Sequence, residues 1–474
     1  MQPIRARGVD FCDGGAQGRE IGGEDGRSDQ YIIWHGLFVA GRESGNKHNF
    51  VNPGRWTGGP EMGRLTRMSG HRLVILVCAA QIAAQIGAYV WSALLPRLRE
   101  AWDIGPAEAG MITGAFYFAY MAAAPFLVSL TDRIDPKRIY LFGAIAIAGG
   151  HLAFAYAVDD FWSAMAARAL SGVGWAGVYM TGLKLLADRV DAGLMRRAVA
   201  WHAAGIGISG ALSFTLGAVV ADAYGWQAAF AIAGWVAVSA SALVLIAAPS
   251  VRPPAAEGPR TALLDFRPVM KNRPAMAFAL TYCVHTWEMS VLRGWIVAFL
   301  GYVALSAPDR TTDWVAPALA ATLLALLGTI VSVYGNGLSI RIGRERIVRL
   351  ATVLSAVASL LLGVAGPEAY WLAVTLALIS GAAIWLDSST LTGGTSEAAE
   401  PGRRGQTLAL HTTLGYAGGA MGPVAMGFIL AAFSGPEGYT DLAWALGFLH
   451  VAALSLVARA IFVRLIAAPP PPRH

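Results

Sequence analysis

The stretch Leu130-Thr131-Asp132-Arg133-Ile134, followed by Lys137-Arg138, has a second copy in Leu338-Ser339-Ile340-Arg341-Ile342, followed by Arg344 and Arg346. The copies lie 338 − 130 = 208 residues apart, and each sits between long apolar runs. A second echo, Ala200-Trp201-His202 ahead of Gly210, matches Ala409-Leu410-His411 ahead of Gly419, with 411 − 202 = 209. Two independent pairs at nearly one spacing imply a duplicated polytopic membrane protein.

Composition points the same way. Of 474 residues, 55% are hydrophobic and 14% charged, with mean hydropathy +0.51, too little polar surface for a soluble globule of this size. About twenty apolar residues cross a bilayer. Twelve such runs begin near Leu73, Glu108, Arg138, Phe161, Ala198, Gln227, Met276, Val315, Ile347, Trp371, Gln406 and Leu442, six in each half. The expected fold is all-α and integral to the membrane, with twelve transmembrane helices in two pseudo-symmetric six-helix bundles. The net charge of +6 does not signal nucleic acid, because the basic residues concentrate in alternate short connectors. Arg133, Lys137, Arg138, Arg189, Arg341, Arg344, Arg403 and Arg404 belong to one set of connectors, and the other set holds only Arg97, Arg99 and Arg310. Positive charge resists translocation, which places the first set and both termini in the cytoplasm, with the chain in the cell's inner membrane. Cys12, Cys78 and Cys283 are far apart and suggest neither a disulfide framework nor a metal site.

Five segments follow. Residues 1–70 are polar and Gly-rich, and read as a disordered extension or a start placed too early, with Met62 and Met68 as alternative beginnings. Residues 71–248 form the first bundle, 249–273 an exposed linker containing Pro253-Pro254 and Glu257-Gly258-Pro259, 274–465 the second bundle, and 466–474 a Pro-rich tail.

From His71 to Leu465 the chain resembles the major facilitator superfamily of secondary transporters. That family's loop between spans 2 and 3 runs Gly, any, Leu, small, Asp, Arg, any, Gly, then basic residues. Leu130, Thr131, Asp132, Arg133, Lys137 and Arg138 fit, whereas Val128 and Asp135 replace the glycines. The second copy keeps Gly343, sets Asn336 between Gly335 and Gly337, retains Arg341 and Arg344, and has Ile340 in place of the acid. The resemblance implies that Asp132 and Arg133 latch the outward-open state, with the basic residues pairing across the halves. The plainer reading of Arg133, Lys137 and Arg138 is topology anchoring. The sequence also resembles the nitrate, nitrite and cyanate porters, although spans 2 and 8 lack buried arginines and spans 5 and 11 lack the Gly/Asn-rich signature of nitrate porters.

Ionisable residues inside spans nominate the site. Arg168-Ala169-Leu170-Ser171-Gly172-Val173-Gly174 matches a family pattern associated with proton coupling. Arg168 lies roughly 10 Å inside span 4 at 1.5 Å per residue. It should face a wet cavity or a carboxylate, with Trp175 and Tyr179 on the same face. Lys184 reads as an interfacial snorkeller. In span 7, Tyr282, His285 and Glu288 recur every three residues, so that His285 and Glu288 can interact directly. Glu288 is a proton-exchange candidate whose structural alternative is an ion pair with Arg168 or Arg293; Arg293 needs a partner elsewhere. Asp387 in span 10 is a second titratable candidate. Gln81, Gln85 and Tyr89 at four-residue spacing line a cavity or pack between helices.

The function expected is secondary active transport of a small polar or anionic solute by alternating access, coupled to protons, through a chamber that the resemblance assigns to spans 1, 4, 7 and 10. No cofactor or catalytic constellation is expected, and the partners are the lipid bilayer, a small-molecule substrate and protons, with the chain acting as a monomer. Efflux of amphipathic organic compounds, using Trp175, Trp287, Trp295 and Trp385, is the competing reading. A non-transporting membrane sensor is a third.

Overall fold

In the computed structural model, the described residues are 69–131, 133–251, 266–306, 315–401, 403–436 and 438–467. Expectations for the N-terminal extension, Asp132, most of the linker and the end of the tail fall outside them. Twelve helical units follow in order. Span 1 comprises Gly70–Gln85 and Val90–Trp102; spans 2 to 6 are Pro106–Leu130, Pro136–Tyr156, Phe161–Ala187, Ala192–Tyr224 and Trp226–Ala247. A short helix, Arg267–Lys271, precedes spans 7 to 9, which are Arg273–Ser306, Pro317–Ile342 and Arg344–Ala365. Span 10 comprises Tyr370–Trp385 and Ser388–Glu397, and spans 11 and 12 are Arg404–Phe433 and Asp441–Ala467.

Eleven of these units are long and apolar enough to cross a membrane. Span 4 is the one outside that set: Arg168, Lys184 and four glycines dilute its apolar character, yet its 27 residues pack against spans 2 and 3. Helix starts follow local chemistry. Pro106, Pro136 and Pro317 occupy first-turn positions whose N–H would have no helical partner. Asp135, Asp160 and Asp191 accept the backbone N–H groups of Lys137, Ser163 and Leu194. The turns between spans 5 and 6 and between spans 8 and 9 each rest on one glycine at positive φ, Gly225 at 89° and Gly343 at 99°.

Two spans depart from the continuous runs expected. Span 1 is interrupted over Ile86-Gly87-Ala88-Tyr89, and span 10 at Leu386-Asp387. Broken helices at membrane depth are tolerated where protein surrounds the freed backbone. Both breaks border ionisable residues inside the spans.

Within the first bundle spans 3 and 4, 2 and 4, 3 and 6, and 1 and 6 pack together; within the second, 9 and 12, 7 and 12, and 9 and 10 do. Between the bundles, span 2 lies on span 11 and span 5 on span 8. Exchanging halves converts one of these pairs into the other, as a pseudo-twofold axis requires. Small residues let the bundles approach. A Cβ on Gly110 would lie 2.5 Å from the carbonyl oxygen of Pro423, and one on Gly114 2.6 Å from that of Ala420.

Among the described residues, hydrogen bonds between the bundles include Tyr89–Arg293, Thr215–Thr322, Thr322–Ala211 and Arg99–Tyr439. With the Tyr120–Tyr416 stack, centroids 3.8 Å apart, they run from mid-depth toward the end opposite the charged connectors. Trp295, Phe299, Trp444 and Phe448 pack edge-on and stacked at that distal end. Large apolar side chains such as Phe126, Trp162, Ile246 and Ile330 are exposed, which suits a surface solvated by lipid.

Candidate transport site

The break in span 1 sets two arginines, one from each bundle, against adjacent residues. Arg168 of span 4 is 2% exposed, lies 4.8 Å from the ring centre of Phe116, and directs Nη1 toward the carbonyl oxygen of Ala88 at 3.4 Å. Arg293 of span 7 donates from Nη1 to the hydroxyl of Tyr89 at 2.8 Å and lies 4.6 Å from the ring of Trp385, the last residue before the break in span 10. Tyr89 is itself fixed, its N–H bonded to Ser213 Oγ at 2.8 Å and its ring stacked on Phe214. Neither arginine forms an ion pair among the described residues. The Nε of each has no hydrogen-bond partner there. Arg168, expected to face a wet cavity or a carboxylate, has an aromatic face and a peptide oxygen beside it, and the partner of Arg293 is Tyr89. Trp175 reaches the same Phe116 ring edge-on at 5.5 Å, while Tyr179 turns to stack on His202.

Glu288 does not join this group. Its carboxylate accepts hydrogen bonds from Ser355 of span 9, at 2.8 Å, and from Ser455 of span 12, inside the second bundle. His285 and Glu288, expected close enough to interact directly, face one cavity, and His285 Nδ1 meets Asp387 Oδ1 at 3.1 Å. Glu288 forms no ion pair with Arg168 or Arg293. Glu288, His285 and Asp387 border one cavity with about 10 Å³ of room, close to the space of one water molecule. Thr281, Thr352 and Ser355 add hydroxyls to its wall. Tyr282 stacks on His411 at 3.9 Å and on His285 at 5.6 Å. Asp387 sits in the break of span 10 and is 4% exposed.

Gln81 and Gln85, expected as cavity lining or interhelical packing, are fully buried, and their amide groups have no hydrogen-bond partners among the described residues. Metal-ligand clusters are absent among the described residues.

Asp132, the acid of the expected latch, lies outside the described residues; at the charged end the described residues form two clusters, each within its own bundle. Arg133, Arg138 and Arg341 are exposed. Lys137 instead caps span 6 through the carbonyls of Leu245 and Ala248. The buried acid at this end of the first bundle is Asp135, which takes Arg189 Nη2 at 2.7 Å and the backbone N–H groups of Lys137 and Val251. Burial alone would raise that carboxyl, but these donors outweigh it and hold Asp135 below the usual carboxylate range. In the second bundle Arg344 grips Glu397 through two bonds of 2.8 and 2.6 Å and reaches Asn336 and Ser339. Gly335 has a packing role: its α-carbon lies against the carbonyl of Leu386, leaving no space for a side chain beside the break.

Sequence reasoning missed Asp135, Arg189, Glu397, Ser355 and Ser455. A signal existed for the first three. Arg189 and Glu397 stand 397 − 189 = 208 residues apart, the repeat spacing, but with opposite charge.

Two bundles exchanged by a pseudo-twofold, with ionisable residues inside the spans, define an all-α membrane protein of the two-bundle transporter architecture. The chain belongs to the Major Facilitator Superfamily, whose family model matches residues 77–315 and 315–474. Spinster homolog 1 of Bos taurus is 24% identical over 298 residues, 60% of this chain and 56% of that protein, so the match spans little over half of that relative. A benzoate transport protein of Acinetobacter baylyi is 25% identical over 167 residues, 34% of this chain and 36% of its own. The crystal structure of a bacterial homologue of the human lysosomal transporter spinster, inward-facing and unoccupied, superposes with a TM-score of 0.68 at 14% identity, over 84% of this chain and 96% of that one. The resemblance to nitrate, nitrite and cyanate porters finds no support among these relatives.

Proposed function

We propose that this protein is a secondary active transporter that moves a small organic anion by alternating access, with proton binding in the second bundle as the coupled reaction. One observation carries the anion: Arg168 and Arg293, two guanidiniums within the membrane, lack a carboxylate among the described residues. Each arginine at a span centre costs about 2.5–3.5 kcal/mol on insertion scales. A solute anion bridging the two would offset that cost and tie one bundle to the other. The aromatic faces of Phe116, Tyr89 and Trp385 suit an anion with an apolar body, and the name of the benzoate relative is consistent with such a solute.

Proton coupling rests on Glu288 and the His285–Asp387 pair around a cavity with room for one water. Coupling requires that the proton bind the two transport states unequally. Taken with a cytoplasmic placement of the charged connectors, the contacts at the distal end support an inward-facing reading of this arrangement. In proteoliposomes, uptake of labelled benzoate driven by a pH gradient should be lost in Glu288→Gln while counterflow persists. Intact gradient-driven accumulation in that variant would remove Glu288 from the coupling role. Efflux of amphipathic compounds is the second reading, favoured by the aromatic lining, and competition by cationic dyes rather than by carboxylates would establish it.

A further inference from the structure

The two guanidiniums of the anion site are each held by a neutral oxygen, and both oxygens come from consecutive residues in the break of span 1. Arg168 points at the carbonyl of Ala88, and Arg293 donates to the hydroxyl of Tyr89. The break is anchored from behind, with the N–H of Tyr89 on Ser213, its ring on Phe214, and Gly87 pressed against the imidazole of His151, where a Cβ would lie 2.5 Å from Nε2. The oxygens are thus presented by a braced segment.

These contacts are incomplete for the cations they serve. The Ala88 contact is long at 3.4 Å, and one Nε on each arginine is left without a partner. A guanidinium offers five donors in a fixed fork suited to a carboxylate or phosphate, and a single neutral oxygen satisfies it poorly. We propose that the break in span 1 is an internal stand-in for the transported anion, with Tyr89 the positioning residue whose hydroxyl must leave Arg293 before the anion can bind. This rests on the anion reading given above and adds to it a competitor built into the chain. The exchange also preserves the link between the bundles. In the empty protein Tyr89 ties span 1 to span 7, and in the loaded one the anion ties span 4 to span 7.

The sign of one substitution separates a stand-in from a direct ligand. Tyr89→Phe keeps the ring packed on Phe214 and removes only the competing hydroxyl. Binding of benzoate, inorganic sulfate and dodecyl phosphate to the purified full chain is measured by calorimetry. Because a hydrogen bond to a charged group is released at no cost in the variant, Tyr89→Phe should bind the accepted probe about tenfold more tightly, whereas Arg168→Lys and Arg293→Lys should weaken it. Unchanged or weaker binding in Tyr89→Phe, with the arginine variants still impaired, would overturn the stand-in while leaving the anion site in place. Binding of no probe to the wild type or to Tyr89→Phe, or binding indifferent to both arginine variants, would remove the anion reading and the stand-in together.

Discussion

The two bundles descend from one repeat but carry different chemistry in their interiors. Gln81 in span 1 and Glu288 in span 7 stand 288 − 81 = 207 residues apart, within one residue of the repeat spacing. The first bundle buries a neutral amide there; the second buries a carboxyl held by Ser355 and Ser455, beside His285 and Asp387. At the charged end the polarity itself is exchanged. The first bundle has its acid on the loop after span 2 and its arginine at the end of span 4, and the second has Arg344 after span 8 and Glu397 at the end of span 10. Duplication therefore preserved positions and changed their chemistry: each bundle carries an arginine inside its spans, and the second adds a carboxyl beside a His–Asp pair.

The largest expected effect comes from erasing this difference. Glu288→Gln makes the second interior resemble the first and should reduce pH-driven accumulation at least tenfold. Adding Gln81→Glu to that variant moves the acid to the equivalent place without supplying a His–Asp pair. Accumulation should stay lost, as read by flux at fixed internal and external pH. Recovery in the double variant would mean that the interiors are interchangeable and the asymmetry carries no function.

Next in size is the ion pair of the first bundle. Asp135 and Arg189 have side chains 8% and 3% exposed, so truncating Asp135 leaves the Arg189 charge little solvated, with only the neutral carbonyls of Pro249 and Leu185 as partners. Asp135→Ala should cost about 3–5 kcal/mol, seen as a lower midpoint of thermal unfolding in detergent. The same carboxyl predicts a pH response. Its folded value lies below the usual carboxylate range, so its contribution is complete above about pH 4 and fades as pH falls through the unfolded value of about 3.9 and then the folded one. The wild type should lose stability over that acid limb, and Asp135→Asn should flatten it.

Much of the fold was legible because a bilayer demands apolar runs of about twenty residues, and the repeat spacing grouped them six and six. The breaks were not. Span 1 gives only Gly87 as a cue, and span 10 breaks at Leu386-Asp387 with neither glycine nor proline. The ionisable residues of the candidate site stand out in the sequence as charges inside apolar runs, yet their grouping was not recoverable. Helical spacing puts His285 and Glu288 on one stripe but cannot tell which neighbouring span supplies a partner. The serines that take Glu288 lie 67 and 167 residues away. The charged-end pairs escaped for another reason: a search for a repeated acid finds Asp132 and then Ile340, and overlooks a bridge whose ends have traded charge.

That trade sharpens into the smallest prediction. Arg344 and Glu397 form the geometrically better bridge, with two bonds rather than one, so bond count alone would rank it the stronger. Exposure argues the reverse. The Glu397 side chain is 55% exposed, against 8% for Asp135, so water already solvates much of it and screens the pair. Glu397→Gln should therefore cost only about 0–1 kcal/mol, and leave Arg344 on Asn336 and Ser339. Measured beside Asp135→Ala in the same unfolding assay, it should shift the midpoint several times less. Equal shifts would mean that geometry outranks desolvation at this membrane edge, and that the two bridges, despite exchanged charge, remain equivalent parts.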